Sequence, residues 1–224
     1  MNAEFFELIR RGVAAEIAEA VAANPALVSS RNRDGVSALL WAVYCGQEPV
    51  QDFIRTKLAA EGVALDVFEA AATGDEAGLR AILKTAPESA HAFSRDGWTP
   101  LHLAAAFGTP GAVSRLLAGG ASVDALSRNA QKNQPLHAAI ALGKNPETVR
   151  LLLDHGAQAN AIQAGGFTAI FSAAASNRRD LAELLISHGA DARHRSESGK
   201  TPAEFARERG HAELAAWLEA LPAS

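Results

Sequence analysis

The apolar positions of this chain come in short clusters that return at a fixed interval. One cluster is Thr99-Pro100-Leu101-His102-Leu103-Ala104-Ala105-Ala106-Phe107-Gly108. The frame recurs as Gln134-Pro135-Leu136-His137-Ala138-Ala139-Ile140-Ala141-Leu142-Gly143, as Thr168 to Asn177, as Thr201 to Gly210 and, upstream, as Ser37 to Gly46. Fainter copies end at Gly74 and Gly12. Aligned on the residue four before the glycine, the marks are Leu8, Ala42, Ala70, Ala104, Ala139, Ala173 and Ala206, with steps of 34, 28, 34, 35, 34 and 33. After each mark comes a second amphipathic stretch, such as Ala112 to Leu117, Val149 to Leu153 or Leu181 to Ile186. Self-similarity at this period predicts stacked helix pairs, seven of them here, each too small to cover its own apolar faces.

The repeated residue types fit that unit. Thr99 and Thr201 are placed to cap a first helix, and Pro100 and Pro202 cost no hydrogen bond at its first position. Gly108, Gly143 and Gly210 end the first helix, where a positive φ is expected. Asp96-Gly97, Gly165-Gly166 and Ser198-Gly199 suit the turn of a projecting hairpin. The chain holds 50 alanines among its 224 residues and only 6% aromatics, so the helices are expected to pack closely without a large aromatic core.

At these residues the chain resembles the ankyrin repeat family, whose pattern is a glycine turn, Thr-Pro-Leu-His, Ala-Ala, a glycine, a second helix and Gly-Ala-Asp. The resemblance implies an all-α solenoid of antiparallel helix pairs with short projecting β-hairpin loops. It spans one domain, 1–224, with repeats at 3–33 as an N-terminal cap, 34–62, 63–95, 96–130, 131–164, 165–197 and 198–224 as a C-terminal cap. Charged residues at both ends, such as Glu7, Arg10 and Glu19 or Arg207, Glu208 and Glu219, suit capping repeats, which leads us to expect a complete array. The 28-residue step lacks a hairpin: only Leu58 to Asp66 separates two helices. This is either degeneration of one finger, room for a partner segment, or a change of curvature.

Charge and chemistry narrow the function. A formal charge of −4 and a pI near 6.0 give no general reason to bind nucleic acid or an anionic membrane. A lone cysteine, Cys45, excludes a disulfide framework and a Cys-based zinc site. No apolar run reaches the roughly 18–20 residues of a membrane span, and the acidic N-terminus is unlike a secretory signal, so the expected location is cytoplasmic. His155 and His188 precede helix-ending glycines, where a donor suits unpaired carbonyls. No His-x-x-x-His, nucleophile elbow or phosphate-cradling glycine loop is present. We therefore expect no catalysis, no metal and no cofactor. The resemblance gives His102 and His137 a structural role, tying neighbouring hairpin backbones together.

What remains is a surface. In the family, partners bind to hairpin tips and to the exposed ends of the first helices. Carried over, these positions include Arg33, Val36, Tyr44, Arg95, Trp98, Phe107, Asn133, Leu142, Phe167 and Lys200. The large apolar groups either pack on neighbouring helix ends or form one patch across the central repeats, with Arg33, Arg95, Lys132 and Lys200 as a basic rim suited to an apolar, acidic peptide. The implied function is a monomeric adaptor for another protein. A dedicated inhibitor or regulatory subunit of one enzyme or toxin is the alternative.

Overall fold

The computed structural model describes residues 2–143 and 145–222. Among these residues, fourteen helices form seven antiparallel pairs: α1 (Asn2–Arg11) with α2 (Ala14–Ala23), α3 (Ala38–Tyr44) with α4 (Glu48–Ala60), α5 (Val67–Thr73) with α6 (Glu76–Thr85), α7 (Pro100–Ala106) with α8 (Pro110–Ala118), α9 (Pro135–Ala141) with α10 (Pro146–Asp154), α11 (Ala169–Ala175) with α12 (Arg179–Ser187), and α13 (Pro202–Glu208) with α14 (Ala212–Ala220). The first helices stack on one another through α13, and from α6 to α12 the second helices stack outside them. The fold is the expected all-α repeat solenoid. Two 3-10 turns, Pro25–Ser29 and Pro87–His91, follow α2 and α6.

Side-chain caps set the start of four of the inner helices. Ser37 and Thr99 accept the backbone N–H three residues on, and Asp66 and Thr201 do the same with Glu69 and Glu204 closing the reciprocal bond. Aligned on these caps, and on Gln134 and Thr168, the steps from Ser37 onward are 29, 33, 35, 34 and 33. The glycine alignment is thus one residue off at the third pair. The reason is local: Gly74 is itself the left-handed C-cap of α5 (φ 72°), whereas Gly108 stands one residue beyond the cap Phe107.

Two of the three helix-ending glycines also serve a different purpose from the expected one. Gly210 has φ 82°, but Gly108 and Gly143 do not adopt a left-handed conformation. A Cβ on Gly108 would meet the Ala71 carbonyl oxygen of the preceding pair, and one on Gly143 would lie 2.8 Å from that of Ala105. These glycines let neighbouring inner helices approach; they are not there for turn conformation.

The projecting hairpins are tighter than strands. Each finger closes through one backbone bond from its first residue to the carbonyl of the residue before the cap: Asn32 to Val36, Ser94 to Trp98, Ser127 to Asn133, Gln163 to Phe167 and Ser196 to Lys200. Isolated bridges at Arg31–Ser37 and Gln163–Phe167 are the only β pairing among the described residues. The third pair has no finger, as expected from its short step.

Buried apolar side chains fall into two clusters. One gathers Phe5, Phe6, Ile9, Ile17, Leu39, Ile54 and their neighbours from α1 to α4, and the other runs from Val36 to Leu218. Trp41 and Leu65 pack against both, and the Trp41 Nε1–H donates to the Phe6 carbonyl at 2.9 Å. Where the clusters meet, α4 is 13 residues long, against 9 or 10 for the other outer helices, and a cleft of about 580 Å³ opens between it and α6. The capping charges named from sequence are exposed at both ends.

Candidate functional site

The inner helices end on one side of the solenoid, and their last residues decide what that side presents. Tyr44 is the final residue of α3, Phe107 is the C-cap of α7 and Leu142 is the C-cap of α9. Trp98 closes the finger in front of α7. The four line one cleft of about 410 Å³, with Asp96, Asn129, Ala130 and Gln131 completing the wall. The Trp98 and Phe107 rings stack with centroids 6.2 Å apart, and Tyr44 tilts against Phe107 at 5.4 Å. Leu142 is 49% exposed, one of four large hydrophobic side chains in the open among the described residues. It also borders two adjoining clefts, one towards Glu48 and Gln51 and one towards Gln163.

Polar groups hold this aromatic wall in place. The Tyr44 hydroxyl donates to Asp96 Oδ2 at 2.7 Å, and the Ser94 hydroxyl donates to the other carboxylate oxygen. Asn129 Nδ2 donates to the Asp96 carbonyl at 3.2 Å. Burial, reinforced by the hydrogen bond to Asp96, pushes the Tyr44 phenol well above its ordinary value, so it stays a donor. Asn129 and Gln131 were not among the residues singled out from sequence. The available signal was the match of Ser127-Arg128-Asn129 to Ser94-Arg95-Asp96, which places both triplets at the start of a finger.

Four of the ten predicted surface residues, Tyr44, Trp98, Phe107 and Leu142, are therefore brought together. Two are corrected: Val36 is 8% exposed and Asn133 5%, so neither is a tip. Val36, Trp98, Asn133, Phe167 and Lys200 all occupy the residue before the cap, at the base of the finger, where a small side chain is covered and only a large one emerges. Asn133 instead accepts a hydrogen bond from His102 on its carbonyl and donates its backbone N–H to the Ser127 hydroxyl. Phe167 joins a separate cluster, 5.2 Å from Phe171 and 5.6 Å from Phe205. The single continuous patch is thus two.

The basic rim does not close around the aromatic cleft either. Lys200 is paired with Glu208 at 2.7 Å. Arg95 is exposed and lies across Gly35 of an earlier finger, and Arg33 is exposed on that finger. The charged groups on the cleft walls among the described residues are the carboxylates of Asp96 and Glu48.

Histidines and the cysteine do structural work. His102 accepts the Thr99 N–H on Nδ1 and donates from Nε2 to the Asn133 carbonyl at 3.0 Å; His137 donates likewise to Ala161. Burial lowers the His102 pKa to about 4, and that of His137 in the same direction. His155 and His188 bond carbonyls four residues back, at the ends of their helices. Burial raises the Cys45 thiol, which leaves it a packed group and not an activated nucleophile.

Capped helix pairs stacked in register and tied together by buried histidines define a helical repeat protein of the solenoid class. A family model described as ankyrin repeats, in three copies, matches residues 67–163 and 144–220. The chain belongs to the ankyrin repeat family, a family that is typically non-catalytic and generally mediates protein–protein interaction. It is 34% identical over 132 residues to the B-cell lymphoma 3 protein homolog of Mus musculus, which covers 58% of this chain and 29% of that protein. It is 40% identical over 87 residues to diacylglycerol kinase iota of Rattus norvegicus (38% of this chain, 8% of that protein), and 42% identical over 84 residues to the ARF GTPase-activating protein GIT2 of Mus musculus (37% and 12%). The matches thus span under a third of each relative. No helix among the described residues is long and apolar enough to cross a membrane.

Proposed function

We propose that this chain is a non-catalytic binding module, monomeric on its own and cytoplasmic, that takes up a segment of a partner protein in the cleft bounded by Tyr44, Trp98, Phe107 and Leu142, and does not act on nucleic acid or membranes. The observation that carries the reading is Leu142: a leucine 49% exposed at a helix end, beside three half-buried aromatic rings in a cleft of about 410 Å³. Tryptophan and tyrosine are typical hot-spot residues, and a concave site lined by aromatic and apolar side chains with a few polar groups is the usual make-up of a binding pocket. Asn129, Gln131 and Glu48 supply such groups around it. The preformed wall also favours binding, because little freedom is lost when a rigid solenoid docks.

The test is affinity capture from the source cell with tagged wild type and Leu142→Asp, after circular dichroism has established that both are folded. Leu142 is preferable to Trp98 because its side chain is outside the core. Retention of a protein by wild type and its loss with Leu142→Asp is the expected result. Equal retention removes the cleft from the proposal, and absence of any retained protein across several salt concentrations removes the binding function.

A further inference from the structure

The row of fingers is a hydrogen-bonded ladder with one rung missing. Successive fingers are joined by backbone bonds: the Arg128 N–H donates to the Gly97 carbonyl at 2.8 Å, Ala164 to Gln131 at 3.0 Å and Glu197 to Gly165 at 3.1 Å. Because the third pair has no finger, those of the second and fourth pairs face each other across a cleft of about 440 Å³. Here the ladder is open. Arg95, the counterpart of Arg128, has a backbone N–H with no hydrogen-bond acceptor among the described residues. Gly35, the counterpart of Gly97, offers its carbonyl only to the Arg31 side chain, at 3.1 Å. The stem of Arg95 lies over Gly35 in place of a backbone strand.

The cleft has an apolar floor, with Phe68 half-buried above Val36 and Leu40. Two cations beside its rim are without an ion pair among the described residues. Arg95 and, on the neighbouring finger, Arg33 are exposed and form no ion pair among the described residues, and Arg128 sits 3.7 Å over the Phe93 ring. Of the carboxylates nearby, Asp66 is paired with Arg31 at 2.9 Å while capping α5, and Asp96 keeps its charge but is held by the neutral hydroxyls of Tyr44 and Ser94. Asp34 alone is exposed without an ion pair.

We propose that this notch seats an extended segment of a partner protein that carries an apolar side chain next to an Asp or Glu. The segment's backbone accepts the free Arg95 N–H in the manner of an added strand, its carboxylate pairs with the Arg95 guanidinium, and its apolar side chain lies on Phe68. Arg95 has only to swing off Gly35, which an exposed, flexible side chain does readily. The proposal does not depend on the aromatic cleft beside Leu142.

Short synthetic peptides with Leu, Ile or Phe adjacent to Asp or Glu are the probe, with a matched set in which Lys replaces the acid, read by fluorescence anisotropy. The expected result is binding of the acidic set, weakened by salt. Arg95→Glu should lower that affinity by about tenfold and turn the preference to the lysine set, while Leu142→Asp leaves both unchanged. Arg95 is exposed, so its charge reversal leaves the fold intact, as circular dichroism will verify. Failure of the acidic set to bind, indifference to Arg95→Glu, or loss with Leu142→Asp in its place would each overturn the proposal. Self-association in sedimentation that Arg95→Glu abolishes would assign the notch to a second copy of the chain and overturn it as well.

Discussion

Tyr44 Oη and Asp96 Oδ2, 2.7 Å apart, connect the inner helix of the second pair to the finger of the fourth, passing over the third. The contact exists because the third pair projects no finger between them. It joins the two halves of the aromatic cleft and holds Tyr44 against Phe107. Replacing Tyr44 with Phe keeps the ring and removes the donor, leaving a partly buried carboxylate with one partner fewer. A loss of about 1.5 kcal/mol in urea unfolding is expected, with coupling to Asp96→Asn in a double-mutant cycle. Additive effects of the two changes would mean that the bond contributes nothing.

Gly108 and Gly210 should respond differently to substitution although they align. Gly108→Ala forces a Cβ against the Ala71 carbonyl and should cost about 1–3 kcal/mol, as overpacking does. Gly210 has open space and φ 82°, so Gly210→Asn, which tolerates that conformation, should cost under about 1 kcal/mol. Thermal denaturation of the two variants decides; equal losses would contradict the distinction.

Stability should fall as pH drops from neutrality. Burial holds His102 at about 4, below its ordinary 6.5, so the unfolded chain takes up that proton first. The contribution is complete above about pH 6.5 and is lost as pH falls towards 4, with a ceiling of about 3 kcal/mol for this one ring. His137 works in the same sense, while Glu69, whose carboxyl is raised chiefly by burial, works in the opposite one. Urea unfolding of wild type and His102→Asn at near-neutral and mildly acidic pH isolates the His102 share. An unchanged pH slope in the variant would refute it.

Leu142→Ala should leave stability within about 0.5 kcal/mol of wild type, since half the side chain is in solvent. Trp98→Ala should cost more, because its ring stacks on Phe107 and lies 5.7 Å from His102. Chemical denaturation of both gives the comparison, and a larger loss at Leu142 would place it in the core.

The helix pairs were legible because caps, prolines and glycines recur with the period, and each acts within its own turn of chain. The reading of Gly108 and Gly143 missed their purpose, since close approach to the preceding helix is not written in local sequence. Val36 and Asn133 were misplaced for a related reason: whether the residue before a cap is covered depends on its size and on the finger beside it. Tyr44 with Asp96 was hidden by sequence distance, as their contact depends on a neighbour that is absent. The two 3-10 turns were available in the repeated prolines, Pro25 and Pro87, each followed after the same interval by Arg-Asp-Gly.

The division of the core into two clusters joined through Trp41 and Leu65 has a consequence for how the chain comes apart. A solenoid whose neighbour-to-neighbour coupling is weakest at one junction opens there first. Amides of α1 to α4 should therefore exchange with solvent at a lower free energy than those of α7 to α12, and residue-by-residue hydrogen exchange would show it as a block of weaker protection in the first two repeats. A partner that bridges the notch would bind across that weakest junction, and would then raise the exchange protection of both sides together.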